Sequence, residues 1–255
     1  METISVVIPS RLAKMPSYMG GFYWLDRALV SIRAQTIYRD LKWQIVIGVD
    51  KGSAQKIPFH VFEPDDFSSV IFAESPSSNQ AAAVNEAVGK ATGDFLAILE
   101  DDDFWHSQKI GSQLLLLDAF DLATTSQRVI DPAGNSMGVS EFPTPSTWLM
   151  RRKIWDDVGG FDQKFPRHVD TEWLGRATQK GLGRVHIVHK GVVQDHLKSL
   201  KEVSEIVSLG HSTPLVDRTD NPQGGFSRIL KDPEFKAQSV REYEIMLERF
   251  GRAPW

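Results

Sequence analysis

The stretch ATGDFLAILEDDDFW, residues 91–105, decides the fold that this sequence is expected to adopt. Its apolar part, residues 95–99, has the length and composition of a buried strand. Four consecutive carboxylates follow at once: Glu100, Asp101, Asp102 and Asp103. Ligands of open α/β sheets bind beyond the carboxyl ends of the strands. The stretch therefore predicts a ligand-binding loop at the end of a central strand.

The residues before this stretch repeat a strand-and-helix pattern. Further strands are predicted at residues 4–8, 43–49 and 70–73, and helices at 25–32 and 81–88. Strands that alternate with helices pair in parallel, so we expect an α/β, Rossmann-like fold with a mostly parallel central sheet flanked by helices. The polar loops that follow three of these strands are then expected along one edge of the sheet, at residues 9–12, 50–53 and 100–103.

The second half of the chain is less regular. Strands are predicted at residues 122–130, 147–150 and 184–189, and helices at 110–120, 151–158 and 170–179. The turn-rich residues 131–135 separate the first two of these strands. Residues 208–225, rich in Pro, Thr, Asn and Gly, are predicted to form a long loop or lid before a closing amphipathic helix at 239–250.

Length and composition exclude several classes of protein. A chain of 255 residues can bury a sizeable core, and we expect one domain. The net charge of −4 argues against a generally basic, nucleic-acid-binding surface. The start METISVVIPS lacks a signal-peptide pattern and no segment approaches eighteen apolar residues. These features predict a cytoplasmic protein, with attachment to a membrane surface left open.

The acidic run itself suggests a divalent cation. Because the chain contains no cysteine, a metal must be held by carboxylate, imidazole or water. Adjacent carboxylates repel one another unless solvent or a cation relieves the repulsion. Mg²⁺ and Mn²⁺ take oxygen ligands, often one or two carboxylates together with substrate phosphates. A solvated turn that caps the next helix is the alternative, but the apolar flanks of the run favour a cation.

Residues 91–105 also match A-x-G-x-[YF]-[IL]-x-[FIL]-L-D-x-D-D-x-W, a pattern of family 2 glycosyltransferases with the GT-A fold, and the sequence resembles that family. The resemblance continues in the family's order from ISVVIPSR to DHLKS, through IVIGVDKGS, NQAAAVNEA, WLMRRKIWDDVGGFD and DTEWLGR. It implies a single GT-A domain over residues 1–255. Its parts are a nucleotide-sugar-binding half at 1–104, an acceptor and catalytic half at 105–200, and a C-terminal loop and helix at 201–255.

The resemblance implies roles for the acidic residues. Asp102 corresponds to the metal-binding carboxylate of the family's D-x-D motif, Asp101 is the second candidate ligand, and Glu100 replaces the usual first Asp on the donor side. His196 resembles a late histidine that completes the metal site or contacts the diphosphate, although an isolated histidine is also common at surfaces and in cores. The implied cofactor is Mn²⁺ or Mg²⁺.

The donor site is implied by five further positions. Asp50 corresponds to an Asp that bonds the nucleobase, with Lys51 replacing the next Asp of that motif. Pro9, Ser10 and Arg11 correspond to the loop that lies against the base, where a guanidinium can stack. Asn85 matches a helical Asn that helps to place the acidic run or the donor, or is simply a buried polar group.

The catalytic base implied by the resemblance is Asp170. Transfer to an acceptor hydroxyl needs a carboxylate within hydrogen-bond reach of the nucleophile. Asp170 corresponds to the Asp of the family's E-D-x-D-L motif, with Val169 in place of the Glu, and Glu172 is the reserve candidate. Asp170 could instead cap the helix that follows it.

The expected reaction is the inverting transfer of a sugar from a nucleoside-diphosphate sugar to an acceptor hydroxyl. A UDP-sugar is the favoured donor and a GDP-sugar the second choice, and a saccharide or lipid-linked saccharide is the default acceptor. A protein or a modified nucleic acid could replace the saccharide as acceptor.

Two different functions also stay open. One is a nucleotidyltransferase, whose Gly- and Lys/Arg-rich loop is absent after the first strand, and the second is a non-catalytic nucleotide-sugar-binding module.

Overall fold

The computed structural model describes residues 1–15, 22–38, 40–53, 67–188, 206–207, 214–220 and 231–251. The helices are α1 (Trp24–Arg33), α2 (Gln80–Lys90), α3 (Lys109–Leu114), α4 (Arg152–Val158), α5 (Val169–Gln179) and α6 (Pro233–Phe250). The strands are β1 (Glu2–Ser10), β2 (Leu41–Asp50), β3 (Ser69–Ser75), β4 (Phe95–Ile98), β5 (Phe104–Trp105), β6 (Leu122–Thr125), β7 (Gln127–Ile130), β8 (Ser136–Ser140), β9 (Leu149–Arg151), β10 (Arg184–Ile187), β11 (Ile206–Val207) and β12 (Val216–Thr219).

The main sheet has eight strands in the order β11-β10-β6-β9-β4-β1-β2-β3. Every neighbouring pair is parallel except the two that involve β9, which runs antiparallel to β4 and β6. The predicted α/β fold with a mostly parallel sheet is thus confirmed. Because β1, β2 and β4 are adjacent and parallel, their carboxyl ends lie at one edge of the sheet, as the sequence predicted.

The central strands are buried on both faces, which is why they are almost continuously apolar. Along β1, Ile4, Val6 and Ile8 pack into the same apolar cluster as α1, whereas Val7 packs into the cluster that contains α2. Successive side chains of a strand point to opposite faces. The two helices therefore cover opposite faces of the sheet and hold its central strands in place.

The contact between β2 and α2 depends on Gly48. A Cβ at this position would lie 2.3 Å from the carbonyl oxygen of Ala83. We expect Gly48→Ala to lower the free energy of unfolding by about 1–3 kcal/mol, because the helix must move off the sheet. Gly89→Ala is the matched control, since a Cβ there meets no atom within 4 Å. Equal unfolding free energies of the two variants in denaturant titrations would contradict this account.

A second sheet, in the order β5-β12-β7-β8, was not predicted. The expected strand at residues 122–130 is two strands, β6 in the main sheet and β7 in the second. The chain turns between them at Ser126, whose hydroxyl donates to Glu141 and to the carbonyl of Ile187. The predicted lid at 208–225 contains β12, so this part of that prediction was wrong. Only residues 214–220 of it are described.

Other elements follow the sequence with changed bounds. The helix expected at residues 110–120 is regular only over α3, after which the chain continues in tighter turns. In these turns the N–H of Leu116 bonds to the carbonyl of Gln113 and that of Ala119 to the carbonyl of Leu116. Bonds between residues three apart are typical of 3₁₀ geometry, which does not extend far. The strand expected at 147–150 begins later, as β9, after a 3₁₀ turn at Pro145–Thr147.

Candidate active site

The acidic loop, residues 100–103, lies at the carboxyl edge of the main sheet. The N–H of Leu99 still bonds to the carbonyl of Val7, so the sheet continues to the residue before the loop. At the end of the neighbouring β1, the Ser10 hydroxyl donates to Asp101 Oδ2 at 2.5 Å. The structure therefore brings the ends of β1 and β4 into direct contact at this edge.

Both ends of the acidic loop are anchored to protein groups. The N–H of Glu100 donates to the Ser146 hydroxyl at 3.0 Å, and the Trp105 indole N–H donates to the Ser146 carbonyl at 2.8 Å. Asp103 is buried, and its Oδ1 accepts from the N–H of Thr219 at 3.0 Å. Asp103 thus contacts backbone, whereas Asp101 and Asp102 are partly exposed. The loop is held while two of its carboxylates stay accessible.

A lysine that the sequence analysis overlooked supports this arrangement. Lys109 is fully buried, its Nζ lies 4.1 Å from the centroid of the Trp105 ring, and it donates to Gln113 Oε1 at 2.8 Å. Burial lowers the pKa of Lys109 well below its usual value. The Trp105 ring, which follows the acidic loop, is therefore held both by Lys109 against its face and by the bond of its indole N–H to Ser146.

The acidic loop concentrates negative charge. Burial, together with the charge of Asp102, raises the pKa of Glu100 and the pKa of Asp101 to about 7 each. The same two causes raise the pKa of Asp103 well above its usual value. Gln80 bonds to the Glu100 carboxylate and Ser10 to that of Asp101, and both bonds oppose the shift. Because the carboxylates of this loop repel one another, the binding of a cation there is favoured.

A divalent metal fits this donor set. Among the described residues, no three acidic or histidine side chains converge into a complete metal site. Mg²⁺ and Mn²⁺ need only one or two protein carboxylates when phosphate oxygens and water complete the shell. Asp102 and Asp101 supply such oxygens at the accessible side of the loop. His196 and the neighbouring Lys198 lie outside the described residues.

Asp170 lies in the first turn of α5, near enough to the acidic loop for its charge to act on Glu100. Its charge is among the influences that raise the pKa of Glu100, so the two carboxyl groups share one region. Its Oδ1 accepts from the Thr171 N–H at 2.7 Å and from the Thr171 hydroxyl at 3.3 Å. Burial raises the pKa of Asp170, although these bonds and the charges of His168 and Arg218 oppose the rise. Both of these hydrogen bonds reach Oδ1.

Glu172, the reserve base, is placed differently. Its side chain is fully buried and its carboxylate accepts from Arg176 Nε at 2.9 and 3.0 Å and from Arg249 at 2.9 Å. Two guanidinium groups therefore engage this carboxylate inside the protein. The structure argues against Glu172 as a base, and Asp170 is the candidate of the pair whose charge acts on Glu100.

Asn85 has a different place from the one expected of a donor-binding residue. Its Nδ2 donates to the Phe161 carbonyl at 2.9 Å and its Oδ1 accepts from the Phe161 N–H at 2.8 Å. Both ends of the carboxamide therefore bond to the main chain of Phe161 and hold the loop after α4. A Cβ at Gly160 would lie 2.7 Å from Asn85 Oδ1, which explains the glycine beside it.

The remaining donor candidates lie at the same edge of the sheet as the acidic loop. Pro9 and Ser10 are the last residues of β1 and are buried, whereas Arg11 is exposed. Arg11 lies close enough to Asp101 for its charge to oppose the rise in the pKa of that residue. Asp50 ends β2 and opens a turn in which the Gly52 N–H donates to Glu74 Oε1 at 3.1 Å. Arg11 and Asp50 thus flank the ends of adjacent strands.

Arg218 is a site residue that the sequence analysis missed. In the antiparallel pairing of β12 with β5, Asp217 lies opposite Phe104, so Arg218 continues alongside the acidic loop. Its charge acts on Glu100, Asp103 and Asp170. The short stretch V-D-R-T, at 216–219, could have indicated a strand. The turn-forming residues around it favoured a loop instead.

Asp217, the residue before Arg218, ties β12 to its neighbours through an ion pair. Its carboxylate accepts two bonds from Arg128, at 2.7 and 2.6 Å, and lies 3.3 Å from His106 Nε2. Burial alone would raise the pKa of Asp217, but these two partners hold it below its usual value. Because side chains alternate along a strand, Arg218 points to the side opposite this ion pair.

The sheet topology and the acidic loop at the end of β4 are those of the GT-A fold. The family model of glycosyl transferase family 2 matches residues 5–169, well over half of the chain. The protein therefore belongs to glycosyl transferase family 2. The matched segment ends one residue before Asp170.

A curated relative and two solved structures are similar to this chain. The relative is the Escherichia coli UDP-Glc:alpha-D-GlcNAc-diphosphoundecaprenol beta-1,3-glucosyltransferase WfgD, 27% identical over 103 residues, or 40% of this chain and 39% of WfgD. The Pyrobaculum calidifontis mannosyltransferase PcManGT, in complex with GDP-Man and Mn²⁺, matches with a TM-score of 0.63 at 14% identity, covering 98% of this chain and 65% of that one. The S. aureus TarS structure matches with a TM-score of 0.56 at 14% identity, covering 92% and 41%.

These matches have a limited span. The segment aligned with WfgD is well under half of that protein, and the match to TarS covers a similar fraction of the TarS chain. At 14% identity the solved structures establish the fold alone. Within the described residues, no helix is long and apolar enough to cross a membrane.

Proposed function

We propose that this protein is a glycosyltransferase that moves a sugar from a nucleoside-diphosphate sugar to an acceptor hydroxyl with inversion at the anomeric carbon. The observation that carries the proposal is that the acidic loop, joined to the end of β1 through Ser10 and lying alongside Arg218 of β12, is near enough to Asp170 for the charge of Asp170 to act on Glu100. Metal-binding carboxylates on one side and a partly buried base on the other are what a single displacement requires.

Each group has a separate task in this proposal. Asp102, with Asp101 beside it, binds the metal, which would neutralise the diphosphate as it departs. Asp170 Oδ2 accepts the proton of the acceptor hydroxyl as the oxygen forms its bond to the anomeric carbon. The bond from that carbon to the diphosphate oxygen breaks on the opposite face, and its electron pair leaves with the nucleoside diphosphate. Arg218 stabilises the charge that develops there.

The similar proteins support a nucleotide-sugar donor. WfgD is named for UDP-Glc, TarS 1–349 has been solved with UDP and with UDP-GlcNAc, and PcManGT with GDP-Man and Mn²⁺. We therefore favour a UDP-sugar, with a GDP-sugar as the second choice, and Mn²⁺ or Mg²⁺ as the metal. Arg11 and Asp50 are the proposed contacts to the base, with Pro9 and Ser10 at the same edge. A saccharide or lipid-linked saccharide is the proposed acceptor.

The experiment that tests this function measures nucleoside diphosphate release from a panel of UDP-, GDP-, CMP- and TDP-sugars with Mn²⁺, offered with saccharide and lipid-linked acceptors. Turnover with one donor class, and none in Asp170→Asn, is the expected result. Tight, metal-dependent donor binding with no turnover on any acceptor would instead indicate a non-catalytic binding module. Release of pyrophosphate from a nucleoside triphosphate would indicate a nucleotidyltransferase.

Replacing Arg218 provides a prediction that does not depend on knowing the acceptor. We expect Arg218→Ala to lower kcat by about 10²-fold, because the developing negative charge loses one preorganised partner. Arg218→Lys is expected to recover part of the loss, since it keeps the charge without the planar fork. The control is Arg241→Ala on the exposed side of α6. Native turnover in Arg218→Ala would remove Arg218 from the mechanism.

A further inference from the structure

The C-terminal helix α6 lies beyond the segment that the family model matches, yet it packs directly on the part of α5 that presents Asp170. The buried side chains of α6 are Phe235, Ser239, Glu242 and Met246. Two of these four are polar, which is unusual for the face that a helix buries. Each of the two contacts one of the residues that immediately precede α5.

Glu242 bonds to the main chain at the start of α5. It is 5% exposed, and its Oε2 accepts from the Arg167 N–H at 3.0 Å. The Arg167 guanidinium lies over the ring of Phe235, 3.3 Å from its centroid. Burying a carboxylate costs desolvation free energy. Its hydrogen bond to a backbone N–H offsets part of that cost and holds the backbone in one position. The contact therefore fixes the chain at Arg167, three residues before Asp170.

Ser239 holds the next residue. The hydroxyl of Ser239 lies 2.8 Å from His168 Nε2, and its carbonyl lies 3.1 Å from the same atom. His168 occupies the N-cap position of α5 and makes no capping bond with its side chain, but its carbonyl accepts from the N–H of Glu172. The position of His168 therefore sets the direction in which the first turn of α5, and Asp170 with it, enters the site.

The other end of α6 is attached to the same helix. Arg249 donates to the Glu172 carboxylate at 2.9 Å, and a Cβ at Gly175 would lie 2.4 Å from the Phe250 ring. The C-terminal end of α6 thus packs on α5, whereas Ser239 and Glu242, nearer the middle of α6, bond to the two residues that precede α5. These contacts join α6 to residues on both sides of Asp170 in the sequence.

We propose that α6, through Ser239 and Glu242, is the positioning element for Asp170, holding its carboxylate within hydrogen-bond reach of the acceptor hydroxyl. The inference rests on the proposed function, because it takes Asp170 to be the base. Neither Ser239 nor Glu242 touches the substrate. They act through Arg167 and His168 on the orientation of the α5 first turn.

The test compares three glutamate variants of the full chain. Glu242→Ala is expected to lower kcat about tenfold to a hundredfold, because a displacement of about 1 Å at a catalytic group has an effect of this size. Glu242→Gln keeps an acceptor for the Arg167 N–H and is expected to recover most of the rate. Glu244→Ala, two residues away and exposed, is the control and should match the native protein. The KM for the sugar nucleotide should stay unchanged in all three.

The same substitution in an Asp170→Asn background separates positioning from general stability. If Glu242 acts through Asp170, Glu242→Ala should change the residual rate of Asp170→Asn by less than about twofold, since coupled sites are not additive. Ser239→Ala is expected to show the same dependence on Asp170. Thermal unfolding of each variant ensures that rates are compared for folded protein.

The outcomes are distinguishable. An equal fold-loss from Glu242→Ala in both backgrounds, or a loss that appears in the donor KM, would overturn the positioning role and leave Asp170 as the base. Native turnover in Asp170→Asn would overturn the proposed base and with it the positioning role. Native kcat in both Glu242→Ala and Ser239→Ala would show that α6 is only a structural support.

Discussion

Asp170→Asn is expected to lower kcat by about 10²- to 10⁴-fold while the KM for the sugar nucleotide changes little. Asn has nearly the same shape and can still accept the bond from the Thr171 N–H, but it cannot take a proton from the acceptor. Steady-state release of nucleoside diphosphate over a range of acceptor concentrations measures this. A variant that retains a tenth or more of the native kcat would contradict the assignment.

The pH dependence provides a second check on Asp170. Because burial raises the pKa of this carboxyl group, the acid limb of kcat should lie above the range of an ordinary Asp. A group whose pKa is raised by folding adds stability below its unfolded pKa and loses it as the pH rises through the folded pKa. The folded protein is therefore less stable with Asp170 ionised, the form that catalysis needs, than with Asp170 protonated. At neutral pH we expect Asp170→Asn to unfold at a temperature no lower than that of the native protein.

Asp102→Asn is expected to lower metal-dependent turnover by roughly 10²-fold or more, the rate equivalent of losing several kcal/mol of charge stabilisation by a metal. The charge of Asp102 raises the pKa values of Glu100, Asp101 and Asp103, so its removal also relieves repulsion. The metal-free variant should therefore be at least as stable as the native protein, whereas Mn²⁺ with a nucleoside diphosphate should stabilise it less. Thermal unfolding with and without these ligands measures both effects.

Asp118→Asn is the control for both aspartate variants. Its side chain is 74% exposed and lies away from the acidic loop, 3.4 Å from Arg151. It should leave kcat, the metal dependence and the unfolding temperature unchanged. Unaltered stabilisation of Asp102→Asn by Mn²⁺ and UDP, or by Mn²⁺ and GDP, would transfer the metal assignment to Asp101 or to residues outside the described part of the chain.

The sequence was sufficient for the donor half of the fold. The central strands β1, β2 and β4 are buried on both faces, so each appears as an apolar run that ends at a polar loop. Parallel pairing then places those ends at one edge without any knowledge of side-chain contacts. For this reason the location of the acidic loop and the ends of β1 and β2 beside it could be predicted from local pattern alone.

The second half could not be predicted in the same way. β7 and β12 are four residues long, as β4 is, but neither has the apolar content of that central strand. They form because their polar side chains find distant partners, as in the pairing of Arg128 with Asp217, 89 residues apart. A strand stabilised by such pairs resembles a loop in its sequence, which is why residues 208–225 were interpreted as a lid.

The sequence by itself determined the α/β sheet, the acidic loop at its carboxyl edge and the family to which the protein belongs. Only the tertiary structure decided what individual polar residues do: Asn85 bonds to Phe161, 76 residues away, Glu172 to Arg249, 77 residues away, and Asp103 to Thr219, 116 residues away. A hydrophobic pattern follows from burial along one segment and is visible locally. The partner of a polar side chain depends on which distant segment folds against it, and no local pattern records that choice.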